Sequence, residues 1–249
     1  MGEQKMSSYI SEVREYQENL YDKHIGIDAR DYLKKRQITP ETAKAWKIGF
    51  SPIGFVPQCY NNYTGTTKFW EKLNGRITFP VYNSNGEIVS ISGRSIYDEI
   101  KPKYIHYQFP TRKNLFGLYN NIVKILEANA IIFVEGQLDV ISAWQHGLRI
   151  CASTMGAHFL FDQIILASRY TNRVFLLYDN DDAGEKGMMD SMQKLKTRGD
   201  MEVRKLSGIL RQGEDVDDWV RQNDINIILN RIKPVSEIDK LRFALQFVK

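Results

Sequence analysis

Six acidic residues follow the ends of three short segments of the sequence, AIIFV, VFLLY and EVRKL. They are Glu135 and Asp139, then Asp179 and Asp181, and finally Asp215 and Asp217. Glu135 directly follows AIIFV, Asp179 directly follows VFLLY, and Asp215 lies in GEDVDDW beyond EVRKL. Carboxylates are ligands of hard divalent cations, and pairs of such ions stabilise phosphoryl displacements. The spacing therefore predicts a metal-dependent site that acts on phosphate groups.

Convergence of these carboxylates would be costly without a cation, because like charges at short range repel and raise each other's pKa. Mg²⁺ would remove that repulsion, since it prefers oxygen ligands and is commonly held by one or two carboxylates together with substrate phosphates. Asp179 and Asp181 stand two positions apart, which points both side chains the same way in an extended segment.

Two other interpretations of the acids remain open on spacing alone. Each acid taken singly fits a helix N-cap or a solvated loop residue. A phosphoacceptor pocket of the receiver type is also built from carboxylates at strand ends, but it gives no role to the basic half of this chain.

The elements that must position the acids alternate between strand and helix from residue 128 onward. The runs AIIFV, ICAS, VFLLY and EVRKL are separated by segments with helical spacing of apolar residues. Apolar runs without alternation predict a parallel sheet that helices cover on both faces. Functional groups of such sheets collect at the carboxyl ends of the strands, which is where the acids stand.

The preceding part of the chain has a different pattern. Tyr9, Val13, Tyr16 and Leu20 recur at helical spacing, and Thr39-Pro40-Glu41 predicts the capped start of another helix. Between residues 76 and 94, ITFPVY and EIVSIS flank the turn sequence NSNG, which predicts a β-hairpin. We therefore predict an α/β fold in which a parallel sheet flanked by helices is preceded by a smaller, basic, mixed α/β subdomain.

Four segments follow from these patterns. The expected division is an N-terminal helical segment over 1–29, the basic subdomain over 30–126, the parallel-sheet domain over 127–210, and an acidic block that begins a helical subdomain over 211–249. Residues 30–126 carry 15 basic and 6 acidic side chains, whereas residues 127–249 carry 16 and 18. This asymmetry favours a polyanion bound on one side and a group that needs carboxylates on the other.

Several classes of protein are disfavoured by what the sequence lacks. No apolar run reaches the roughly 18 residues of a membrane span, and the N-terminus has no hydrophobic signal segment, so a cytoplasmic location in a bacterium or a virus-infected host is expected. Cys59 and Cys151 form no C-x-x-C pair and are interpreted as core thiols. The four histidines lack metal-ligand spacing, so no zinc site is expected in this chain.

The blocks EGQLD (135–139) and DNDDAG (179–184) together resemble the TOPRIM domain, which DnaG-type primases share with type IA and type II topoisomerases and some nucleases. Further blocks are similar to those of the DnaG-type RNA polymerase domain and occur in the same order. They are YQENLYDKHIGIDARDYLKKRQITPETAKAWKIGFSP, GRITFP, ISGR, PKYIHY, KNLFGLYN and GEDVDDW. The resemblance to bacterial DnaG-type primases extends from about Tyr16 to Val220.

The resemblance implies a role for each matching acid. Glu135 is similar to a glutamate that acts as general acid/base or organises the metal, and Asp179 and Asp181 match the metal-binding pair of the catalytic site. Asp215 and Asp217 match a second metal-binding pair. Asp139 matches an acid of the same block whose role is less defined.

The resemblance also implies a surface for template and nucleotide. Arg76, Arg94, Lys103 and His106 match positions that hold template phosphate or the incoming triphosphate. An arginine fork suits phosphate oxygens, while a lysine offers a point charge. The sequence departs from the family pattern where His106 replaces an asparagine, Gln137 replaces an aromatic residue and Val216 replaces a proline.

The implied function is template-directed synthesis of short RNA primers on single-stranded DNA from nucleoside triphosphates, with Mg²⁺ or Mn²⁺ as cofactor. The blocks in this sequence correspond to neither the amino-terminal zinc module nor the carboxy-terminal helicase-binding module of the family. The expected partners are therefore a replicative helicase and a zinc-binding module outside this chain, whether the chain is an excised core or a minimal viral primase. The core is expected to be monomeric.

Two further functions remain as alternatives, a TOPRIM-type nuclease and a non-catalytic module that binds single-stranded nucleic acid. Aromatic residues beside the basic segment also have two interpretations, since they could pack in the core or stack on template bases, and core packing is preferred. They are Tyr60, Tyr63, Phe69 and Trp70.

Overall fold

The computed structural model describes residues 2–61, 68–106, 113–156 and 158–234, with side chains from Tyr9 onward. Tyr63 and residues 235–249 of the predicted C-terminal segment lie outside this part of the chain. Within the described residues, no helix is long and apolar enough to span a bilayer.

The chain begins with three helices, of which the first packs on the first sheet. They are α1 (Gly2–Tyr21), α2 (Ile27–Lys35) and α3 (Pro40–Ala45). The four apolar residues predicted to form one stripe of α1 are all buried, which confirms that prediction. Helix α3 begins as predicted, because the Thr39 side chain accepts a hydrogen bond from the Thr42 amide at 3.2 Å and Pro40 occupies its first turn.

The first sheet is antiparallel and has four strands in the order β1-β2-β3-β4. Its strands are β1 (Gly49–Ser51), β2 (Arg76–Tyr82), β3 (Ile88–Ser95) and β4 (Tyr104–His106), and two short 3₁₀ helices, Gln58–Tyr60 and Phe69–Leu73, lie between β1 and β2. The predicted hairpin is confirmed as β2 paired with β3. Its turn contains Gly86 at φ +85°, a conformation that glycine adopts without steric cost.

The second sheet is parallel, as predicted, and its strand order is β6-β5-β7-β8. The strands are β5 (Ile131–Phe133), β6 (Cys151–Ala152), β7 (Arg173–Leu176) and β8 (Glu202–Lys205). The helices are α4 (Leu118–Ala128), α5 (Gln137–Gln145), α6 (Phe161–Ser168), α7 (Asp182–Lys196), α8 (Val216–Gln222) and α9 (Asn226–Ile232). Strand β7 lies between β5 and β8, so the three acid-bearing strand ends are neighbours at one edge of the sheet.

One continuous hydrophobic core joins the two sheets. It contains Ile77 and Phe79 of β2 together with Ile132 of β5 and Phe175 of β7. The core therefore crosses the boundary predicted between residues 126 and 127, and that boundary stays a prediction drawn from the sequence pattern.

The two cysteines differ in environment. Cys151 is buried in β6, but Cys59 is exposed in the first 3₁₀ helix, so the interpretation of Cys59 as a core thiol was wrong. Free cysteines are usually buried as small apolar residues, but this is an average tendency. The short 3₁₀ helix places the Cys59 side chain at the surface.

The described aromatic residues near Cys59 also differ. Trp70 is buried and stacks on Tyr60 with ring centroids 4.2 Å apart, whereas Phe69 is 41% exposed. Core packing is confirmed for Trp70, and base stacking by its neighbours stays untested.

We expect Phe133→Ala to lower the free energy of unfolding by about 3 to 5 kcal/mol, because it leaves a cavity in the core. Phe133 is fully buried in β5 and meets the Phe159 ring edge to face at a centroid distance of 4.6 Å. Phe161→Ala is the matched control, since that ring is 65% exposed. Urea titration measures both, and equal losses in the two variants would contradict the packing described for β5.

Candidate active site

A cavity of about 460 Å³ lies at the carboxyl ends of the parallel strands, and residues from both sheets line it. The acidic side chains of its lining are Glu135, Asp139, Asp179 and Asp215. The basic and imidazole side chains are Arg36, Arg94, Lys103 and His106. The structure thus brings most of the predicted acids together and sets predicted cations against them.

Glu135 is held at the end of β5 by contacts on both sides. Its Oε1 accepts a hydrogen bond from the Asp179 amide at 3.2 Å, which links the ends of β5 and β7. Its backbone carbonyl accepts a hydrogen bond from Ser153 Oγ at 2.7 Å. Burial raises the pKa of Glu135, and the nearby charge of Asp181 raises it further.

Asp179 is the most strongly perturbed carboxyl group that faces the cavity. Burial raises its pKa to about 8, with further contributions from Asp139 and Glu135. Its Oδ1 is buried without a hydrogen-bond partner. Asp139 has its pKa raised to about 7, again chiefly by burial, although its Oδ2 accepts a hydrogen bond from the Gly136 amide at 2.8 Å. These carboxyl groups are therefore close enough to oppose each other's ionisation.

The donor set suits a hard divalent cation. Crowded carboxylates with raised pKa values, and a buried carboxylate oxygen that lacks a partner, are what such an ion would relieve. Among the residues that the structure describes, however, no group of three or more acidic, histidine or cysteine side chains is arranged to hold a metal ion. Four of the six predicted acids share the cavity, but they do not form a closed coordination shell.

Asp181 and Asp215 each begin a helix. Asp181 Oδ1 accepts a hydrogen bond from the Gly184 amide at 2.7 Å at the start of α7. Asp215 Oδ1 accepts one from the Asp218 amide at 2.7 Å at the start of α8. The N-cap interpretation is thus correct for both residues. It does not exclude a ligand role, because capping uses one of the two carboxylate oxygens.

Asp181 and Asp217 do not lie in the lining of the cavity, unlike the other four predicted acids. Asp217 is 1% exposed, and its Oδ2 lies 3.1 Å from Arg36 Nη1 and 3.3 Å from Arg221 Nη2. Two arginines compensate its charge within the protein, which disfavours the metal role expected for it.

Arg76 also lies away from the position predicted for it. It is 2% exposed, and its guanidinium donates hydrogen bonds to the backbone carbonyls of Lys72 at 2.9 Å and Lys103 at 3.0 Å. A buried guanidinium that donates to two backbone carbonyls is not presented to phosphate. Its contact with Lys103 instead fixes the backbone of a residue that does line the cavity.

Arg94 and Lys103 form the basic wall of the cavity. Arg94 Nη1 donates a hydrogen bond to the Tyr104 hydroxyl at 2.5 Å, and its guanidinium lies 5.0 Å from the Tyr104 ring and 5.7 Å from the Tyr32 ring. The Arg94 charge lowers the pKa of Lys103, with burial and Arg36 as further causes. Crowded cations of this kind favour the binding of an anion.

His106 is neutral in character and lies at the edge of this wall. Burial lowers its pKa, and its Nδ1 lies 3.0 Å from Ser92 Oγ. It lines the cavity, and its role in binding nucleotide or template stays a prediction.

Sequence reasoning missed Arg36, which ends α2 and lines the cavity beside Asp215, with Nη1 3.8 Å from Asp215 Oδ2. Its partners in the acidic block are about 180 positions away along the chain, so no local spacing signals the contact. The only signal is its place at the end of a basic run, KKR, which is equally typical of a solvated helix end.

Two sequence families match separate parts of the chain. Residues 56–121 match the family described as the N-terminal domain of the DNA primase catalytic core. Residues 132–220 match the family described as Toprim-like. The two matched segments carry the basic wall and the acidic strand ends, respectively.

Known proteins similar over most of the chain are primases. The DNA primase of Aquifex aeolicus is 29% identical over 214 residues, which cover 78% of this chain and 42% of the relative. The crystal structure of the Aquifex aeolicus primase zinc-binding and RNA polymerase domains matches with a TM-score of 0.79 at 26% identity, over 92% of this chain and 60% of that one. The E. coli primase catalytic core matches with a TM-score of 0.77 at 25% identity, over 92% and 78%. The chain thus spans about two fifths of the length of the curated relative.

Gly184 lies against the acids, and we expect Gly184→Ala to destabilise the site. A Cβ there would overlap the Asp179 carbonyl oxygen and lie 2.8 Å from Glu135 Oε1. Overpacking of this kind costs about 1 to 3 kcal/mol. Gly199→Ala is the control, since a Cβ there meets nothing within 4 Å. Chemical denaturation compares the two, and a Gly184→Ala protein as stable as Gly199→Ala would refute the close packing.

The raised pKa of Asp179 predicts a pH dependence for the metal-free protein. The folded state keeps a proton that the unfolded chain loses above about pH 4, so the stability contributed by this group is present at low pH and is lost as pH rises toward 8. We expect the free energy of unfolding, measured in EDTA, to fall over this window, and to fall less in Asp179→Asn.

The control for this measurement is Asp162→Asn, which changes an exposed acid in the first turn of α6. It should keep the pH slope of the wild type. A slope that Asp179→Asn leaves unchanged would show that this carboxyl group is not the source.

Proposed function

We propose that this chain, which belongs to the bacterial DnaG-type DNA primases, is a catalytic core that synthesises short RNA primers on a single-stranded DNA template. The observation that carries the proposal is the cavity in which Glu135 and Asp179 lie opposite Arg94 and Lys103. Carboxylates on one wall suit cations, and arginine with lysine on the other suits phosphates.

The TOPRIM fold implies use of a divalent cation, and we propose Mg²⁺, with Mn²⁺ as a possible substitute. The residues proposed to hold it are Glu135, Asp179, Asp181 and Asp215, all at the ends of neighbouring strands or at the helix starts that follow them. When bound, the ion would neutralise phosphate charge and lower the pKa of the attacking 3′-hydroxyl. No zinc site is proposed in this chain.

The side chains themselves supply position and charge. Arg94 lies near two tyrosine rings and donates a hydrogen bond to the Tyr104 hydroxyl, and these contacts restrain its guanidinium before a ligand binds. Lys103 stands beside it, and the two cations would hold the triphosphate of an incoming nucleotide or a template phosphate. Glu135 lines the cavity and has a raised pKa, and we propose that it accepts or returns a proton there.

The proposed substrates are nucleoside triphosphates paired with single-stranded DNA along the basic subdomain. The proposed partners are a replicative helicase and a zinc-binding module outside this chain, in keeping with the larger size of the relatives. We propose a monomeric core that acts in the cytoplasm, where template and nucleotides are found. The nuclease alternative is not favoured, because the relatives that match over most of the chain are primases.

Primer synthesis is tested by incubating the chain with single-stranded template, labelled nucleoside triphosphates and Mg²⁺, with and without a zinc-module protein supplied in trans. We expect short oligonucleotides from the wild type. Asp179→Asn should lower the rate about 100-fold or more, the order of loss when one group that stabilises transition-state charge is removed. Template binding, followed by fluorescence anisotropy, should persist because the basic wall is unchanged.

Asp182→Asn is the matched control, since this exposed aspartate lies in the same acidic run but does not line the cavity. It should retain the wild-type rate. Synthesis that survives Asp179→Asn would favour a binding module over an enzyme, and cleavage of the template without synthesis would favour a nuclease.

A further inference from the structure

Ser92 Oγ is a junction for hydrogen bonds at the wall of the cavity. Ser92 is fully buried in β3, and its Oγ accepts a hydrogen bond from Gln137 Nε2 at 2.8 Å. His106 Nδ1 lies 3.0 Å from the same oxygen. Gln137 is itself only 2% exposed, so this contact is shielded from water. Buried polar groups joined in this way restrict one another to a single arrangement.

The junction connects three separate segments. Ser92 and His106 belong to the antiparallel sheet, in β3 and β4. Gln137 begins α5 and stands two residues after Glu135. The backbone of Met155, which lines the cavity beyond β6 and has φ +59°, also influences the pKa of His106. The hydrogen bonds of the network therefore tie the first sheet to the segment that follows β5.

The network lies on the face of the first sheet that carries the cations. Ser92 and Arg94 are two positions apart in β3, so their side chains point to the same face. Ser92 is paired with His106 across the strands, and Arg94 is paired with Tyr104. Gln137 thus contacts the first sheet two residue pairs away from Arg94, whose guanidinium lines the cavity.

We propose that Ser92, His106 and Gln137 are positioning residues that set the gap between the basic wall and Glu135. The network holds the segment after Glu135 from the side of the first sheet, while Ser153 and the Asp179 amide hold Glu135 from the side of the second. Reacting groups must be held within a fraction of an ångström for full activity. This inference rests on the proposed function and deepens it.

Both His106 and Gln137 are positions at which the sequence departs from the pattern of the family it resembles. Both side chains contact the same oxygen, Ser92 Oγ, so we expect the two departures to act together. A variant at either position is therefore expected to affect the other.

Gln137→Ala tests the proposal. We expect its kcat for primer synthesis to fall about 10- to 100-fold, with smaller changes in KM and in template affinity, because ligands still bind but Glu135 is misplaced. Gln145→Ala is the matched control, since this glutamine lies in the same helix and also reaches the preceding segment. Its amide donates to the Gln37 carbonyl and accepts from the Thr39 amide, both at 2.9 Å. The control should keep its kcat.

Two further measurements separate positioning from general destabilisation. Ser92→Ala and the double variant Ser92→Ala with Gln137→Ala should show the kcat of Gln137→Ala alone, because residues that act through one hydrogen bond are not additive. The affinity for Mn²⁺ alone, followed by electron paramagnetic resonance, should weaken several-fold in Gln137→Ala but not in Gln145→Ala.

The possible outcomes decide two separate questions. Equal effects of Gln137→Ala and Gln145→Ala on kcat and on Mn²⁺ affinity would overturn the positioning role while leaving primer synthesis in place. A wild type that makes no oligonucleotides would overturn the proposed function. In that case weaker Mn²⁺ binding confined to Gln137→Ala and Ser92→Ala would support the network, and unchanged binding would overturn it as well.

Discussion

Repulsion among buried carboxyl groups is the constraint around which this structure is arranged. Glu135, Asp139 and Asp179 stand close together in a region of low exposure, and burial together with the charge of neighbouring acids raises the pKa of each. A fold can keep such groups only if the rest of the protein is rigid enough to hold them or if a cation offsets their charge. The parallel sheet supplies the rigidity, because three neighbouring strands end at one edge.

The protein compensates its acids in different ways, and this division gives each a different role. Asp217 is neutralised by Arg36 and Arg221 and is sealed from solvent. Asp181 and Asp215 satisfy backbone amides at helix starts. Asp179 has neither an arginine nor a cap on its buried Oδ1. A buried carboxylate oxygen that lacks a hydrogen-bond partner therefore belongs to a residue that lines the same cavity as Arg94 and Lys103.

Much of the fold could be predicted because its signals are local. Short runs between helical segments predicted the parallel sheet, and NSNG between two β patterns predicted the hairpin. The errors have a common physical origin, since burial and partner choice depend on contacts made after the chain has folded. Arg76 stands in a block that suggested phosphate binding, yet its guanidinium is directed at backbone carbonyls. Arg36 lacked any local signal because its partners are distant in sequence.

The starts of α7 and α8 bear on how this protein could change through evolution. The carboxylate that begins each helix is also one that would serve the chemistry. Asparagine, serine or threonine at either position would keep the helix start and lose the charge, whereas most other residues would lose both. A related protein that lost catalysis could therefore keep both helix starts with only a few substitutions at these positions. Helix stability thus disfavours replacement of these two acids.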